Sequence, residues 1–175
     1  SGTGGGGGGA AISNISFSGS CSVQLINCTI ANNSAPGSSG GGIVTFTQGA
    51  GTTATTILRN TIIANNSLPN LTTGTAGGGP VTVNSNGFNL SSDGGGGFLT
   101  GTGDLLNTNP LLAALGAYGG PTQTHALLPG SPAINAGTNT GAPATDQRAR
   151  ITRCASIAWL ITSSPTRSMR RSTRS

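Results

Sequence analysis

Two stretches of this chain nearly repeat each other, INCTIANNSAP at residues 26–36 and RNTIIANNSLP at residues 59–69. Repetition at a fixed period is typical of solenoids, in which one unit cannot bury its own apolar side chains and stacked units bury them together. The short runs around the repeat are rich in Val, Ile, Leu and Thr, which indicates β-strands. The chain is therefore predicted to be all-β, a parallel β-helix of about three coils.

When the two units are aligned at a spacing of 33 residues, identical apolar residues fall on one another. Leu25 then falls on Leu58 and Ile30 on Ile63, as neighbouring coils require when inward side chains stack at ~4.8 Å. The alignment predicts an apolar interior built from these residues and from one more alternating position. Its predicted members are Val23, Leu25, Ile30, Leu58 and Ile63.

The Asn residues that follow each strand-like run are predicted to form the corners of the coils. Asn tolerates left-handed backbone angles, and stacked amides can hydrogen-bond one another in ladders. We expect such ladders between Asn27 and Asn60 and between Asn32 and Asn65. Gly triplets, one for each coil, are predicted to supply the remaining corners, where a Cβ would clash. They lie at 7–9, 40–42 and 77–79.

From residue 104 the sequence changes character and the repeats stop. The piece NPLLAALG predicts one short helix, with Asn109 as the N-cap, Pro110 in the first turn and Gly116 as the stop. A solenoid needs a terminal cap, because its last coil otherwise exposes the core and a strand edge. The candidate covering residues are Leu111, Leu112, Leu115, Leu127, Leu128 and Ile134.

The net charge of +5 is confined to the end of the chain. One Arg and three Asp lie in residues 1–147, whereas seven Arg and no acid lie in residues 148–175. A nucleic-acid interface would place basic residues on a folded face, usually beside aromatic residues. The charge therefore favours a solvated, disordered tail over nucleic-acid binding, and the alternative is a basic tail that grips acidic surface polymers. The predicted organisation is coils over 1–103, a cap over 104–148 and a tail over 149–175.

Acidic residues are too few for the usual β-helix chemistry. Polysaccharide lyases and hydrolases need clustered carboxylates to bind calcium or to flank the glycosidic bond. The acids here are Asp93, Asp104 and Asp146, each in a different segment. His125 is predicted to make a structural hydrogen bond, since a general base would need an orienting partner and a nucleophile. We therefore expect no catalytic residue, no cofactor and no metal site.

The cysteines are Cys21, Cys28 and Cys154, an odd number without a C-x-x-C pair, so neither zinc nor thioredoxin-like chemistry is indicated. A Cys21–Cys28 disulfide and buried free thiols both remain open. No apolar run approaches the ~20 residues of a membrane span. The chain begins at Ser1 with no signal peptide in view, which we interpret as a fragment whose N-terminus lies upstream.

The segment NPLLAALGAYGGPTQTHALLPGSPAINAG, followed by ATDQR, resembles the C-terminal region of bacterial choice-of-anchor Q domain proteins. GGGI at 40–43 and ILRNTIIANNS at 57–67 resemble the β-helix repeats that precede it in that family. The resemblance implies a right-handed parallel β-helix, export, and attachment at or release from the cell surface, with no enzymatic role. It stops at Ala149 in mid-motif, so residues 149–175 are predicted to be out-of-frame sequence.

Two hypotheses from different classes follow. The first is a non-catalytic exported or cell-surface β-helix protein, acting as a stalk, an adhesin-like protein or a matrix component, whose partner would be cell-surface or matrix carbohydrate. The second is a fragment of a carbohydrate-active enzyme, a polysaccharide lyase or hydrolase, whose catalytic coils lie upstream. Paired Asp residues at coil spacing before Ser1 would favour the enzyme, and further GGGI-type coils would favour the stalk.

Overall fold

The computed structural model describes residues 10–35, 40–67 and 69–149, and apart from Ala149 the predicted tail lies outside the described residues. The regular structure of the described part is almost entirely β, with one 3₁₀ turn at Gly95–Gly97. Its strands form where short runs of β-branched residues are interrupted by Gly and Asn. They are β1 (Ile12–Ser16), β2 (Ser20–Ile26), β3 (Thr29–Ala31), β4 (Ile43–Gln48), β5 (Thr53–Arg59), β6 (Ile62–Ala64), β7 (Leu71–Ala76), β8 (Val81–Ser85) and β9 (Leu90–Ser91).

The strands form three parallel sheets, and each sheet takes every third strand of the chain. The first sheet has the order β1-β4-β7, the second β2-β5-β8 and the third β3-β6-β9. After three strands the chain therefore returns to the sheet it started from and adds a parallel neighbour. This topology is compatible with a parallel β-helix, and it confirms the prediction of an all-β fold built by parallel pairing.

The predicted register is confirmed in the second and third sheets. Leu25 pairs with Leu58 and Ile30 pairs with Ile63, each 33 residues further on. The spacing is not constant, however, because Ile62 pairs with Leu90, only 28 residues on. The connection between β6 and β7 is six residues long, at 65–70, whereas the connection between β3 and β4 covers 32–42. The shorter connection accounts for the shorter repeat.

The shorter repeat also corrects the alignment of the Gly triplets. Gly40–Gly42 lead into β4 of the first sheet, whereas Gly77–Gly79 lead into β8 of the second sheet, so the two triplets occupy different corners. The reason predicted for Gly itself is confirmed in both places. A Cβ on Gly42 would collide with the carbonyl oxygen of Asn70, and one on Gly79 would collide with the carbonyl oxygen of Thr52.

The Asn corners have the predicted backbone conformation. Asn27 and Asn60 have φ of 55° and 50°, and Asn32 and Asn65 have φ of 59° and 55°. The next equivalent of Asn60 is Gly87, whose carbonyl oxygen accepts the Asn60 backbone N–H at 3.3 Å and whose φ is 87°. These residues turn the chain between sheets at positions that disfavour other side chains.

The amide ladder lies elsewhere than predicted. The side chain of Asn60 bonds Thr138, donating to its carbonyl oxygen at 2.6 Å and accepting from its backbone N–H at 3.0 Å. The ladder forms instead where Asn33 Nδ2 donates to Asn66 Oδ1 at 2.9 Å and Asn66 Nδ2 donates to Asn70 Oδ1 at 3.0 Å. Asn66 and Asn70 are buried, so their amides must find protein partners, whereas the amides of exposed corners can bind water.

An apolar cluster joins all three sheets. Leu58 and Ile63 are fully buried in it, Ile30 is 7% exposed, and Leu25 packs against them from the first strand of its sheet. Val23 lies beside Thr56 in the register and is half-buried. The cluster also takes Leu99 from the loop after the 3₁₀ turn, which the sequence did not predict. Its buried members are Ile30, Ile43, Leu58, Ile63, Leu71 and Leu99.

The rest of the interior is polar, which an analysis of apolar residues missed. Thr45 and Thr56 are fully buried, and their hydroxyl oxygens lie 2.7 Å apart across the first and second sheets. Asn14 Nδ2 donates to Thr56 Oγ1 at 3.0 Å and to the carbonyl oxygen of Thr55 at 2.8 Å. These bonds satisfy the buried hydroxyls and allow short polar residues to alternate inward beside the apolar cluster.

The predicted helix at NPLLAALG is wrong. Asn109 Oδ1 accepts the backbone N–H of Leu111, which has φ of 50°, and Leu112 then forms an antiparallel bridge with Leu127. A second bridge joins Gly116 to Thr124. The cap-like signals are therefore turn signals, and long-range pairing with the returning segment satisfies the backbone groups that a helix would have satisfied locally.

The leucine-rich segment packs on the outside of the third sheet. Ile62, Ala64 and Leu90 form a second cluster with Leu127 and Ala133. Side chains alternate across a strand, so this cluster lies on the face of β6 opposite to Ile63. Of the predicted covering residues, Leu112, Leu127 and Ile134 take part, whereas Leu115 and Leu128 are 56% and 43% exposed. The division of the chain at 103/104 and 148/149 stays a prediction.

Candidate functional site

Asp104 holds three parts of the chain together. Its Oδ1 accepts the backbone N–H of Asn89 at 2.8 Å, and its Oδ2 accepts the backbone N–H of Gly101 at 2.8 Å and the hydroxyl of Ser85 at 2.5 Å. Both carboxylate oxygens are thus occupied by donors of the surrounding loops. The residue performs a structural task at the end of the second sheet.

Asp93 performs a similar task beside the third sheet. Its Oδ2 accepts the backbone N–H of Asn70 at 2.8 Å, and its Oδ1 accepts the Ser91 hydroxyl at 2.7 Å and the backbone N–H of Gly95 at 2.8 Å. Burial raises the pKa of the carboxyl, but these donors outweigh burial and hold the pKa below its ordinary value of 3.8. Asp93 is therefore an anionic anchor for two loops.

Asp146 is paired with Arg148 in the motif TDQR. Asp146 Oδ2 accepts from Arg148 Nε at 2.8 Å and from a terminal guanidinium nitrogen at 2.5 Å, and both side chains are buried. Gly120 packs against this pair so closely that a Cβ there would lie 2.8 Å from the Arg148 Cα. The motif therefore locks the end of the described chain onto the GGP turn.

Each carboxylate serves a different part of the molecule. Among the described residues no group of three or more His, Cys, Asp or Glu side chains could hold a metal ion. No helix of the described part is long or apolar enough to cross a membrane.

A groove of about 450 Å³ brings amide, hydroxyl and imidazole side chains together. One wall is the corner between β2 and β3, and the other is the segment that packs on the outside of the third sheet. Five of the nine lining residues carry an amide or a hydroxyl, and Ile26 and Leu115 are apolar. The lining residues are Ile26, Asn27, Cys28, Thr29, Leu115, Gln123, Thr124, His125 and Gln147.

Two residues that line the groove each carry a buried oxygen without a hydrogen-bond partner within the described residues. The oxygens are Asn27 Oδ1 and Thr124 Oγ1, one from each wall. Asn27 is only 8% exposed. Its equivalent at the corner between β5 and β6 is Asn60, whose side-chain amide forms hydrogen bonds with Thr138. Buried polar atoms are almost always paired, and in this respect the Asn27 corner differs from the Asn60 corner.

His125 contributes to the same groove and makes the predicted structural hydrogen bond. Its Nδ1 lies 2.8 Å from the carbonyl oxygen of Ala113. A carbonyl oxygen only accepts, so Nδ1 carries the proton and Nε2 is the acceptor in the neutral ring. The carbonyl fixes the ring but cannot stabilise an imidazolium as the carboxylate of a catalytic triad does.

Cys28 also lines the groove, and both described cysteines, Cys21 and Cys28, are free thiols. They are half-buried, which replaces the expectation of buried thiols. Burial raises the pKa of the Cys28 thiol. A nucleophilic cysteine needs the opposite shift.

Only part of this groove was predictable from the sequence. His125, Gln123 and Thr124 lie in the stretch PTQTHALLPG, which is part of the resemblance, but only His125 is assigned a role from the sequence, that of a structural hydrogen bond. Asn27 was predicted to be a corner that matches Asn60, and nothing in the sequence distinguishes the two. The difference arises because Thr138 reaches Asn60 across 78 residues and leaves Asn27 without such a partner.

Comparisons with family models, with curated proteins and with solved structures each give no match to the chain.

Proposed function

We propose that this chain is part of a non-catalytic, exported or cell-surface β-helix protein of the choice-of-anchor Q kind, acting as a stalk, an adhesin-like protein or a matrix component. The observation that carries this proposal is the use of the carboxylates. Asp93, Asp104 and Asp146 each bind donors of their own loops, and their oxygens are thereby engaged in holding the fold. A glycosidase needs two carboxylates facing one another across a bond.

The proposed fold is a right-handed parallel β-helix of three coils, each coil consisting of three consecutive strands. Two facts support it. Every sheet takes every third strand in parallel, which is how a β-helix is wound. Connections between parallel strands of one sheet are right-handed in about 98% of cases, because the strand twist favours that hand.

The surface of the described part supports a neutral partner. Its charged residues are Arg59, Arg148 and three Asp, and the Arg148–Asp146 pair is buried. The second sheet presents hydroxyls instead, and Ser20 and Thr53 on neighbouring strands bond each other at 2.8 Å. A surface of hydroxyls and amides suits carbohydrate better than nucleic acid, whose affinity depends on cationic contacts with phosphate.

Surface labelling tests the proposed location. An antibody raised against residues 10–149 should stain intact cells of the source organism or recover the protein from the medium. Staining that appears only after the cells are lysed would contradict the proposal.

Activity assays test the non-catalytic role separately. The purified protein should release no new reducing ends and no unsaturated products from pectin, alginate or neutral glucans. Turnover that disappears in Asp93→Asn or Asp104→Asn would overturn the proposed role, and the folded state of each variant would be checked by circular dichroism.

A further inference from the structure

We propose that a second copy of this chain pairs with the open edge of β2, its own β2 lying antiparallel to the first. Among the described strands β2 has one neighbour, β5, whereas β5 is paired on both sides, with β2 and β8. The inward side chains of β2 are only half-buried, but their register neighbours on β5 are fully buried. The residues concerned are Cys21, Val23 and Leu25 on β2 and Ala54, Thr56 and Leu58 on β5.

The open edge carries backbone groups that β5 does not use. The backbone N–H of Asn27 donates to the carbonyl oxygen of Arg59, and the carbonyl oxygen of Gly19 accepts from Thr53. Because successive residues of a strand turn their N–H and C=O groups to opposite sides, the odd-numbered residues of β2 bond β5. The even-numbered residues, Ser20, Ser22, Gln24 and Ile26, turn theirs to the open edge. Such a row of donors and acceptors is a template for another strand.

The sequence of β2, SCSVQLI, is symmetric in polarity about its middle residue, Val23. An antiparallel pair centred there places Val23 opposite Val23 of the second copy and Cys21 opposite Leu25, all on the inward face. Ser22 then lies opposite Gln24 on the outward face, and these are residues whose backbone groups point to the open edge. Apolar residues meet apolar ones and polar residues meet polar ones, which is the self-complementarity that a twofold interface requires.

The first coil lacks the features that normally prevent strands from pairing. No charged residue and no Pro occurs from Ala10 to Ala35, whereas natural sheet edges are commonly protected by Lys, Pro or inward-pointing charges. The nine residues before Ala10 are too few to form another coil, because 31 residues separate Ile12 from its register neighbour Ile43. A coil encoded upstream of Ser1 would compete for the same edge, so the proposal is tested on the 175-residue chain.

The opposite end of the coils favours a closed dimer over a filament. There Leu99 is buried in the cluster that joins the three sheets, and Leu90 of β9 forms a parallel bridge with Leu105. The last coil is thus partly covered by the chain's own segments. Head-to-tail stacking would have to displace these contacts, whereas a twofold pair of first coils leaves them in place.

Light scattering after size-exclusion chromatography measures the association. The 175-residue chain is loaded at about 100 µM, a concentration that detects dissociation constants into the micromolar range. We expect a molar mass about twice the 17.0 kDa of one chain. A monomer at this concentration, or a mass that keeps growing with concentration as head-to-tail stacking requires, would overturn the proposal.

Gln24→Pro blocks the open edge and spares the pairing with β5. Pro has no backbone N–H and is tolerated in edge strands, and the N–H of Gln24 points away from β5. Both copies lose this donor, so the dissociation constant of the dimer should rise by about tenfold or more. The matched control, Gln24→Ala, loses the same side chain but keeps the N–H and should dimerise like the wild type. Equal dimerisation of the two variants, each with the wild-type circular dichroism spectrum, would show that the edge is not used.

Cysteine cross-linking tests the register and needs no Pro variant. In a background with Cys21, Cys28 and Cys154 replaced by Ser, Val23→Cys should form a disulfide-linked dimer on mild oxidation. Val23 faces its own copy in a non-hydrogen-bonded pair with ~4.5 Å between Cα atoms, which lies within the ~4.4–6.8 Å of disulfides.

Gln24→Cys in the same background is the control for the cross-link. Gln24 lies diagonally from its own copy, at ~7–8 Å, and this variant should remain reduced. Gln24 is exposed and Val23 half-buried, so accessibility alone would give the opposite order. Failure of Val23→Cys to link, or faster linking of Gln24→Cys, would overturn the proposal.

Discussion

Leu58 is the residue whose truncation should damage the fold most clearly. Its side chain is fully buried in the cluster that joins the three sheets, with Ile30, Ile63 and Leu71 among the members. Truncation of a buried Leu to Ala costs about 2–5 kcal/mol, increasing with the volume of the cavity that remains. Leu58 lies on β5, which is paired with β2 on one side and with β8 on the other. Because this pairing limits how far the strands can move into the cavity, we expect Leu58→Ala to lower the free energy of unfolding by about 3–5 kcal/mol.

Thr55→Ala is the matched control on the same strand. Thr55 is half-buried on the opposite face of β5, and the bond it makes to Asn14 uses its backbone carbonyl oxygen, which the substitution keeps. The expected cost is below about 1 kcal/mol. Urea unfolding followed by circular dichroism measures both, and with a slope of about 2 kcal/mol per molar urea the Leu58 variant should shift its midpoint by roughly 2 M. Equal shifts for the two variants would refute the assignment of the inward face.

Three further predictions concern single side chains. The lowered pKa of Asp93 contributes stability that is fully present above about pH 4 and is lost as the pH falls through the folded-state pKa. In the Asp93→Asn variant the free energy of unfolding should therefore fall less steeply with decreasing pH. An unchanged acid dependence would contradict the role of Asp93 as an anionic anchor. Asp146→Asn leaves the buried charge of Arg148 poorly compensated and should cost about 3–5 kcal/mol in urea unfolding, whereas a loss below about 1 kcal/mol would mean that the pair does not hold the end of the chain. Both Asn60→Gly and Asn60→Ala lose the bonds to Thr138, but Ala must also adopt φ of 50°, so it should unfold about 1–2 kcal/mol more easily than Gly; equal stabilities would show that the corner relaxes.

The repeats predicted the parts of the fold that depend on local pattern. Leu25 on Leu58 and Ile30 on Ile63 were evident, because stacking demands like residues at one spacing. The left-handed corners at Asn27 and Asn60 were evident because few residues tolerate that conformation. These features depend on residues that are near neighbours in the strand register.

Features that depend on distant packing were not evident. The pairing of Leu112 with Leu127 overrode a local helix signal. The amide of Asn60 was taken by Thr138 rather than by the next coil, and this bond is what leaves Asn27 as the exception that marks the groove. A sequence pattern describes each corner in the same terms, whereas the partner of the Asn60 amide comes from a segment 78 residues away.

Paired cysteines on the outer face of the second sheet test the parallel architecture most directly. In the register, Ser22 lies beside Thr55 and Gln24 beside Ile57. Neighbouring strands bring such pairs within the ~4.4–6.8 Å between Cα atoms that a disulfide needs, whereas diagonal pairs are ~7–8 Å apart. The background variant has its native cysteines, Cys21, Cys28 and Cys154, replaced by Ser.

Four double variants are oxidised and analysed by mass spectrometry after proteolysis. The parallel register predicts that Ser22→Cys with Thr55→Cys, and Gln24→Cys with Ile57→Cys, form intramolecular disulfides in high yield. The crossed combinations, Ser22→Cys with Ile57→Cys and Gln24→Cys with Thr55→Cys, should remain reduced. Efficient bridging of the crossed pairs and failure of the direct pairs would mean that β2 and β5 run antiparallel, which would contradict the fold and every assignment built on it.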